Sequence, residues 1–208
     1  MSITLPTPSC LVPEHQADPA EQEMAWLEQL AKTGCELTRK DVDSVLHRVP
    51  LLVLADDEPT VRTAVFRIMT ARRKNTNPVV KLEGDIQQCF DALPKMEAGH
   101  LPVVLCQNGA EAETAARILC ERQIKDGIVI FDYLMGGPTG LEIFEKFEGD
   151  FPPGITKTLL TGTPPERLVK CLEAGILDAA IIKPPSAEQM RAKMAQTYLR
   201  KKFSPSGV

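Results

Sequence analysis

The sequence predicts an α/β protein with a doubly wound parallel sheet of five strands. From Leu51 onward, five short apolar runs recur along the chain, and a polar turn and a helical apolar period follow each of them. Runs this short and this apolar are typical of strands that are buried on both faces, as in parallel sheets covered by helices. The regular alternation of strand and helix gives the fold class.

The residues before Leu51 predict a tail and a helical extension. Residues 1–17 are rich in Pro, Ser and Thr and have no apolar period, which indicates a flexible tail. Residues 18–49 are predicted to form a helical hairpin, with Asp18 capping its first helix and Thr38 capping its second. The second helix carries an apolar stripe of Val42, Val45, Leu46 and Val49.

The main domain is predicted over residues 50–203. Its strands are expected at 51–55, 102–106, 128–131, 158–160 and 179–182. The βα repeat favours the flavodoxin-like strand order 2-1-3-4-5. Residues 72–100 separate the first helix from the second strand and far exceed the ~2–6 residues usual for such a connection. We therefore predict an insertion there, with its own helix at 84–93, and a short tail at 204–208.

Composition argues against several classes of protein. The formal net charge of −4 and the pI near 5.5 are unlike those of a protein that coats nucleic acid or an anionic membrane. No apolar run approaches the ~18 residues of a membrane span, and the first residues lack secretory features, so we expect a cytoplasmic protein. The six cysteines form no CxxC pair and the three histidines are not near them, which predicts no disulfide and no thiolate metal site.

Polar side chains follow four of the five predicted strands. Asp56 and Asp57 follow the first strand, Asp132 ends the third, Thr161 ends the fourth and Lys183 follows the fifth. Ligands of open α/β sheets bind outside the carboxyl ends of the strands. Three carboxylates that converge there repel one another unless a cation is present, and oxygen ligands suit Mg²⁺. With a lysine and a hydroxyl nearby, this set favours phosphoryl transfer to a carboxylate nucleophile.

The same segments resemble a known family. LLVLADDEPTVR, IVIFDYLMGGPTGLE, TLLTGT and AAIIKPP are similar, in order, to the four signature segments of the receiver domains of two-component response regulators. The resemblance covers residues 51–71 and 101–200, but not 1–49 or the insertion. It implies a signalling switch rather than an enzyme, phosphorylated by a sensor histidine kinase or a phosphotransfer protein in a Mg²⁺-dependent reaction.

The resemblance implies which residues hold the metal and accept the phosphoryl group. Asp132 would be the phosphoacceptor and a metal ligand. Asp57 would bind Mg²⁺ directly, and Asp56 would bind it mainly through water. Leu134 would supply its backbone carbonyl to the metal.

The resemblance also implies a group of residues that stabilise the phosphoryl group. Thr161 would hydrogen-bond to it and move on activation. Lys183 would pair with the phosphoryl oxygens, and a cis peptide bond to Pro184 would aim the lysine, as X-Pro bonds permit.

Three positions depart from the family pattern. Ala180 stands where the family often has an aromatic residue that moves with the threonine, so signal output is expected to use another surface. Leu134 cannot orient a water molecule with its side chain, which predicts slow autodephosphorylation. The Gly136-Gly137-Pro138 stretch predicts a loop with altered detail.

Several alternatives stay open from the sequence. The chain could be a stand-alone receiver or the front part of a larger regulator with an output domain. A Mg²⁺-dependent phosphohydrolase of the haloacid dehalogenase type fits poorly, because Glu58 stands where its second aspartate is needed. A receiver that works without phosphorylation is a third reading. Trp26 is expected to pack on its own chain, with a homodimer interface through the helical extension as the alternative. No direct nucleic-acid or membrane binding is expected.

Overall fold

The computed structural model describes residues 36–71 and 78–203. Six strands are present: β1 (Leu52–Ala55), β2 (Val79–Leu82), β3 (Leu101–Cys106), β4 (Gly127–Asp132), β5 (Ile155–Thr161) and β6 (Ala179–Ile182). The helices are α1 (Arg39–His47), α2 (Pro59–Thr70), α3 (Ile86–Ala92), α4 (Gly109–Glu121), α5 (Gly140–Lys146), α6 (Leu168–Glu173) and α7 (Ala187–Phe203), with a 3₁₀ turn at Leu93–Lys95. All strand pairs are parallel, in the order β2-β3-β1-β4-β5-β6.

The predicted fold class is confirmed, with one strand more than expected. The five predicted strands are β1, β3, β4, β5 and β6, and they pair in the predicted order. The sixth, β2, comes from the segment that we predicted as an insertion, so the number of strands in the sheet is corrected from five to six. Three of its four residues are half-buried and Lys81 is exposed, and the strand pairs with β3 from Val79 opposite Leu101 onward. A sequence of four residues on the edge of a sheet gives too weak an apolar signal to be recognised.

The segment after β2 forms a helix close to the predicted position. The helix α3 begins at Ile86 because the Asp85 side chain accepts a hydrogen bond from the Gln88 amide at 2.9 Å, and it ends at Ala92. It packs on α4, and the side chain of Arg122, which caps the C-terminus of α4, forms an ion pair with Asp91 of α3 at 2.5 Å. The segment 78–100 therefore extends the sheet by one βα unit.

The strand register brings the carboxyl ends of five strands to one edge. Ala55 of β1 lies opposite both Cys106 and Phe131, so β1 and β3 end at the same level and β4 continues for one more residue, Asp132. In β5, Thr161 lies opposite Ile182, the last residue of β6. Because the strands are parallel, the residues that follow them emerge at this edge together.

Two apolar layers cover the sheet. One lies under α3, α4, α5 and α6 and includes stacked rings of Phe131 and Phe144, whose centroids are 5.0 Å apart. The other lies under α1, α2 and α7. Among the residues that the structure describes, no helix is both long and apolar enough to span a membrane. Four cysteines in this part of the chain are buried free thiols, and burial raises the pKa of Cys120 to about 11.

The helix α1 is the second helix of the predicted hairpin. It begins after Thr38, which forms a capping box with Asp41, and it buries Val42, Val45 and Leu46 against the second apolar layer. The first helix of the hairpin, with Trp26, lies outside the described residues. The predicted tails 1–17 and 204–208 also lie outside them.

Candidate functional site

Three carboxylates meet at the carboxyl edge of the sheet. Asp56, Asp57 and Asp132 each offer one oxygen, and these oxygens lie within 4.8 Å of one another. Asp56 and Asp132 are only 3% and 6% exposed, whereas Asp57 is exposed. The structure thus brings together the three acids that the sequence placed after β1 and at the end of β4.

The Lys183 ammonium bridges two of these acids. Its Nζ lies 2.7 Å from Asp56 Oδ2 and 2.8 Å from Asp132 Oδ1. The backbone N–H of Lys183 donates to the Thr161 carbonyl at 2.8 Å, which holds the residue at the end of β6. The peptide bond between Lys183 and Pro184 is cis. With all groups ionised, three carboxylates and one ammonium leave a net charge of −2 on the pocket.

Burial and the neighbouring charges oppose each other in this pocket. Burial raises the pKa of the Asp132 carboxyl, the Lys183 ammonium beside it lowers that pKa, and the Asp56 carboxylate raises it, with a raised pKa as the result. Burial lowers the pKa of the Lys183 ammonium, but its hydrogen bonds to Asp132 and Asp56 outweigh burial and the pKa is raised overall. Lys183 is therefore cationic at neutral pH, and a further cation would favour an ionised Asp132.

Asp56 is held at its main chain and at both carboxylate oxygens. The Glu58 amide donates to Asp56 Oδ1 at 2.9 Å, and Lys183 binds Oδ2. The Arg62 guanidinium donates from Nη1 to the Asp56 main-chain carbonyl at 2.6 Å. Sequence reasoning missed Arg62, because an arginine on a predicted helix is usually solvated. The only sign of its role in the sequence was its position, five residues after the Asp56-Asp57 pair that follows the first strand.

Two glycines that contact the loop after Asp132 have no space for a side chain. A Cβ at Gly140 would lie 2.4 Å from the Asp132 carbonyl oxygen, and one at Gly109 would lie 2.1 Å from the Pro138 carbonyl oxygen. Thr139 caps α5 at the end of this loop, through a capping box with its first turn. Close backbone contact therefore sets where α5 begins relative to the end of β4.

Thr161 lies at the end of β5, but its hydroxyl bonds to its own turn. The residue is 1% exposed, its Oγ1 donates to the Thr163 carbonyl at 2.7 Å, and the Thr163 amide donates back to it at 3.2 Å. The structure thus places Thr161 at the predicted edge of the sheet. Among the residues that the structure describes, its hydroxyl forms no hydrogen bond to a carboxylate. A hydroxyl held this way must rotate before it can donate to a group on Asp132.

Leu134 and Ala180 are two of the places where the sequence departs from the receiver-domain segments that it resembles. The Leu134 side chain is 63% exposed on the loop after Asp132. Ala180 is half-buried and packs on the apolar layer under α3, α4, α5 and α6. Neither side chain can donate or accept a hydrogen bond at the acidic pocket.

The donor set fits a hard divalent cation. The clustered ligand atoms are all carboxylate oxygens, two of the three acids are buried, and the pocket has a net negative charge. Mg²⁺ prefers oxygen ligands and binds through a few carboxylates while it retains water. The residues present are therefore suited to holding Mg²⁺.

Comparisons with known proteins identify solved structures only. No family model matches the sequence, and no curated protein matches it. The chain is similar to a LuxR-family DNA-binding response regulator from Staphylococcus aureus, with 18% identity, a TM-score of 0.46, and 72% of this chain and 99% of the other covered. It is also similar to a response regulator receiver domain protein from Clostridium thermocellum, with 17% identity, a TM-score of 0.48, and 74% and 98% covered. A two-component response regulator from Cytophaga hutchinsonii matches at 18% identity with a TM-score of 0.48, over 72% of this chain and 96% of the other.

Proposed function

We propose that this chain is a phosphorylation-switched signalling module, a receiver domain with Asp132 as its phosphoacceptor. The observation that supports this most directly is the position of Lys183 Nζ, 2.7 Å from Asp56 and 2.8 Å from Asp132, within a cluster of three acids. A buried cluster of like charges costs free energy, so its presence at the ligand-binding edge of an α/β sheet favours a functional role over a structural one. The donor would be a phosphohistidine of a sensor histidine kinase or of a phosphotransfer protein.

The proposed reaction transfers one phosphoryl group from nitrogen to oxygen. A carboxylate oxygen of Asp132 attacks the phosphorus and forms an O–P bond, while the N–P bond to the donor imidazole breaks. The nitrogen keeps the electron pair of the broken bond, so a donor ring that is protonated on its other nitrogen leaves as neutral imidazole. Positioning and neutralisation of charge are the main needs of such a transfer.

Lys183 and Thr161 would stabilise the transferred group. The Lys183 ammonium already contacts Asp132, so it can follow the negative charge onto the phosphoryl oxygens. The Thr161 hydroxyl would leave the Thr163 carbonyl and donate to a phosphoryl oxygen. This rotation would be the first change in the protein after phosphorylation.

Mg²⁺ would be held by four groups of this chain. Asp56, Asp57 and Asp132 would contribute carboxylate oxygens, and Leu134 would contribute its backbone carbonyl. When bound, the ion would neutralise charge that develops on the transferred phosphoryl group. The chain would then keep the phosphoryl group as an aspartyl phosphate on Asp132 rather than turn over substrate as an enzyme does.

The output would be a change in contacts with a partner protein or a second copy of the chain. Because residue 180 is alanine, no aromatic side chain stands there to move together with Thr161. A change at Thr161 would therefore reach the surface of α6 and β6 through other contacts. Val169, Leu172 and Ile182 are exposed apolar side chains on these two elements. The apolar stripe of α1 is buried within the chain, so a homodimer through the helical extension would use other residues than this stripe.

Phosphorylation by a small donor tests the proposal directly. The full chain is incubated with Mg²⁺ and acetyl phosphate, and its intact mass is measured for wild type and Asp132→Asn. We expect a gain of one phosphoryl group in wild type only, and none in wild type when Mg²⁺ is removed with a chelator. An equal gain in wild type and the variant would reject Asp132 as the acceptor. Repeated hydrolysis of an aryl phosphate, beyond one equivalent per chain, would instead favour a phosphohydrolase.

A further inference from the structure

We infer that Arg62 is a positioning residue that fixes the peptide unit between Asp56 and Asp57, so that both carboxylates face the same divalent cation. This inference rests on the proposed function and concerns a residue outside the expected ligand set. Arg62 is only 9% exposed, and its Nη1 donates to the Asp56 carbonyl oxygen at 2.6 Å. That carbonyl belongs to the peptide bond that joins the two acids.

Besides this hydrogen bond from Arg62, the Asp56 side chain accepts from the Glu58 amide at 2.9 Å and pairs with Lys183, but these contacts leave the carbonyl of the Asp56–Asp57 peptide unheld. The last hydrogen bond that joins it to the sheet, from the Asp56 amide to the Cys106 carbonyl, is long at 3.4 Å. The N-cap residue Glu58 makes no side-chain capping bond, and Pro59 has no N–H to donate. Without Arg62, the Asp56–Asp57 peptide could turn, and repulsion between the acids would favour moving them apart.

Arg62 forms two hydrogen bonds to the turn between β1 and α2. Its backbone N–H donates to the Glu58 carbonyl at 3.0 Å, which is the first helical hydrogen bond of α2. Its side chain reaches back to the Asp56 carbonyl. One residue therefore joins the start of the helix to the end of the strand, and the orientation of α2 sets the orientation of the peptide.

The choice of acceptor leaves the carboxylates available. Arg62 binds a main-chain oxygen rather than a carboxylate oxygen, so it does not compete with Lys183 or a metal for ligand atoms. The guanidinium brings a buried positive charge close to a pocket with a net negative charge. Arg62 thus positions the acids and offsets part of their repulsion without occupying the metal site.

Calorimetric titration of the full chain with Mg²⁺ tests this role. We compare wild type, Arg62→Met, Arg62→Gln and Arg62→Lys, with Arg67→Met as the matched control because Arg67 is exposed on the same helix. Loss of an outer-shell partner typically weakens metal binding by about 10–100-fold, and we expect this for Met and Gln. Lysine can still donate to the carbonyl, so Arg62→Lys should bind within about 3-fold of wild type, and Arg67→Met should match wild type.

Urea unfolding without Mg²⁺ separates positioning from folding. A merely structural role would lower stability but leave the Mg²⁺ affinity of the folded fraction unchanged, and that result would overturn the inference. If Arg62→Met does not fold, the Gln and Lys variants decide, and equal affinities of Gln and wild type would overturn it. A wild-type chain that neither binds Mg²⁺ nor takes a phosphoryl group from acetyl phosphate would overturn the proposed function as well. A wild type that does both, with Arg62→Met binding equally well, would overturn only the role of Arg62.

Discussion

Arg191 of α7 forms an ion pair with Asp43 of α1, with 2.7 Å between its Nη2 and Asp43 Oδ1. The same guanidinium donates to the Ile68 carbonyl at 2.7 Å and to the Met69 carbonyl at 3.2 Å, near the end of α2. Arg191 is 5% exposed. A single buried side chain therefore joins the helix α1 to the helices α2 and α7 of the sheet domain.

Arg191→Met should destabilise the protein by about 3 kcal/mol. The substitution removes the ion pair to the half-buried Asp43 and takes one donor away from the Ile68 and Met69 carbonyls, and losing these bonds of a buried guanidinium is costly. Urea unfolding measures the loss. The control is Arg200→Met on the exposed side of the same helix, which should stay within about 0.5 kcal/mol of wild type. Equal stability of the two variants would contradict the role given to Arg191.

Gly140→Ala should slow phosphorylation of Asp132 and lower stability by about 1–3 kcal/mol. The new Cβ would lie 2.4 Å from the Asp132 carbonyl oxygen, so either α5 or the end of β4 must shift. Gly136→Ala is the matched control in the same loop, because a Cβ there meets no atom within 4 Å. Rates with acetyl phosphate and urea unfolding give both quantities. A Gly140→Ala protein that behaves like Gly136→Ala would show that the close contact is unimportant.

Lys157→Met should change how stability depends on pH in the alkaline range. Burial lowers the pKa of the Lys157 ammonium, which donates to the Gly175 carbonyl at 2.9 Å, and nearby Asp178 only partly offsets burial. A lowered pKa in the folded state means that the unfolded chain binds more protons between that pKa and the usual value of about 10.4. Wild-type stability therefore gains from this group as pH rises through that window.

The measurement for Lys157 is urea unfolding of wild type and Lys157→Met at neutral pH and near pH ~10. The stability of the variant relative to wild type should fall as the pH rises, because only wild type gains from deprotonation. A constant difference across this range would show that Lys157 titrates alike in the folded and unfolded chains.

Leu134→Asn should speed loss of the phosphoryl group from Asp132. The Leu134 side chain is 63% exposed and cannot orient a water molecule, so we expect the wild-type aspartyl phosphate to last far longer than seconds. An asparagine amide can hold a water near the phosphorus and should shorten the lifetime roughly tenfold. Loss of the phosphoryl mass over time after removal of the donor measures both rates. Leu134→Met keeps an apolar side chain and should match wild type.

The positions of the acids and of Lys183 could be predicted because the strands are short, apolar and parallel. Once β1, β4 and β6 are recognised, their register leaves little choice about where Asp56, Asp132 and Lys183 lie. The roles assigned to these residues stay predictions, since the structure shows where they lie and not what they bind. The direction of the Thr161 hydroxyl could not be predicted, because it depends on a local turn with Thr163.

Arg62 and β2 escaped prediction for different physical reasons. The role of Arg62 depends on a side chain that folds back six residues along the chain, and amphipathic periodicity carries no information on that. The strand β2 is stabilised by pairing with β3 more than by its own apolar character, since none of its residues is fully buried. Both features result from tertiary contacts rather than from local pattern.

The β2–α3 unit also changes what the sheet offers to other chains. In a five-strand arrangement β3 would be the outermost strand, with six apolar residues and a row of unpaired amides and carbonyls, a template for aggregation. Here β3 is paired on both sides, and the edge strand is β2, which has only four residues. That edge is short and carries Lys81, which forms an ion pair with Glu83 at 2.7 Å. Charge and brevity together discourage edge-to-edge association of folded chains.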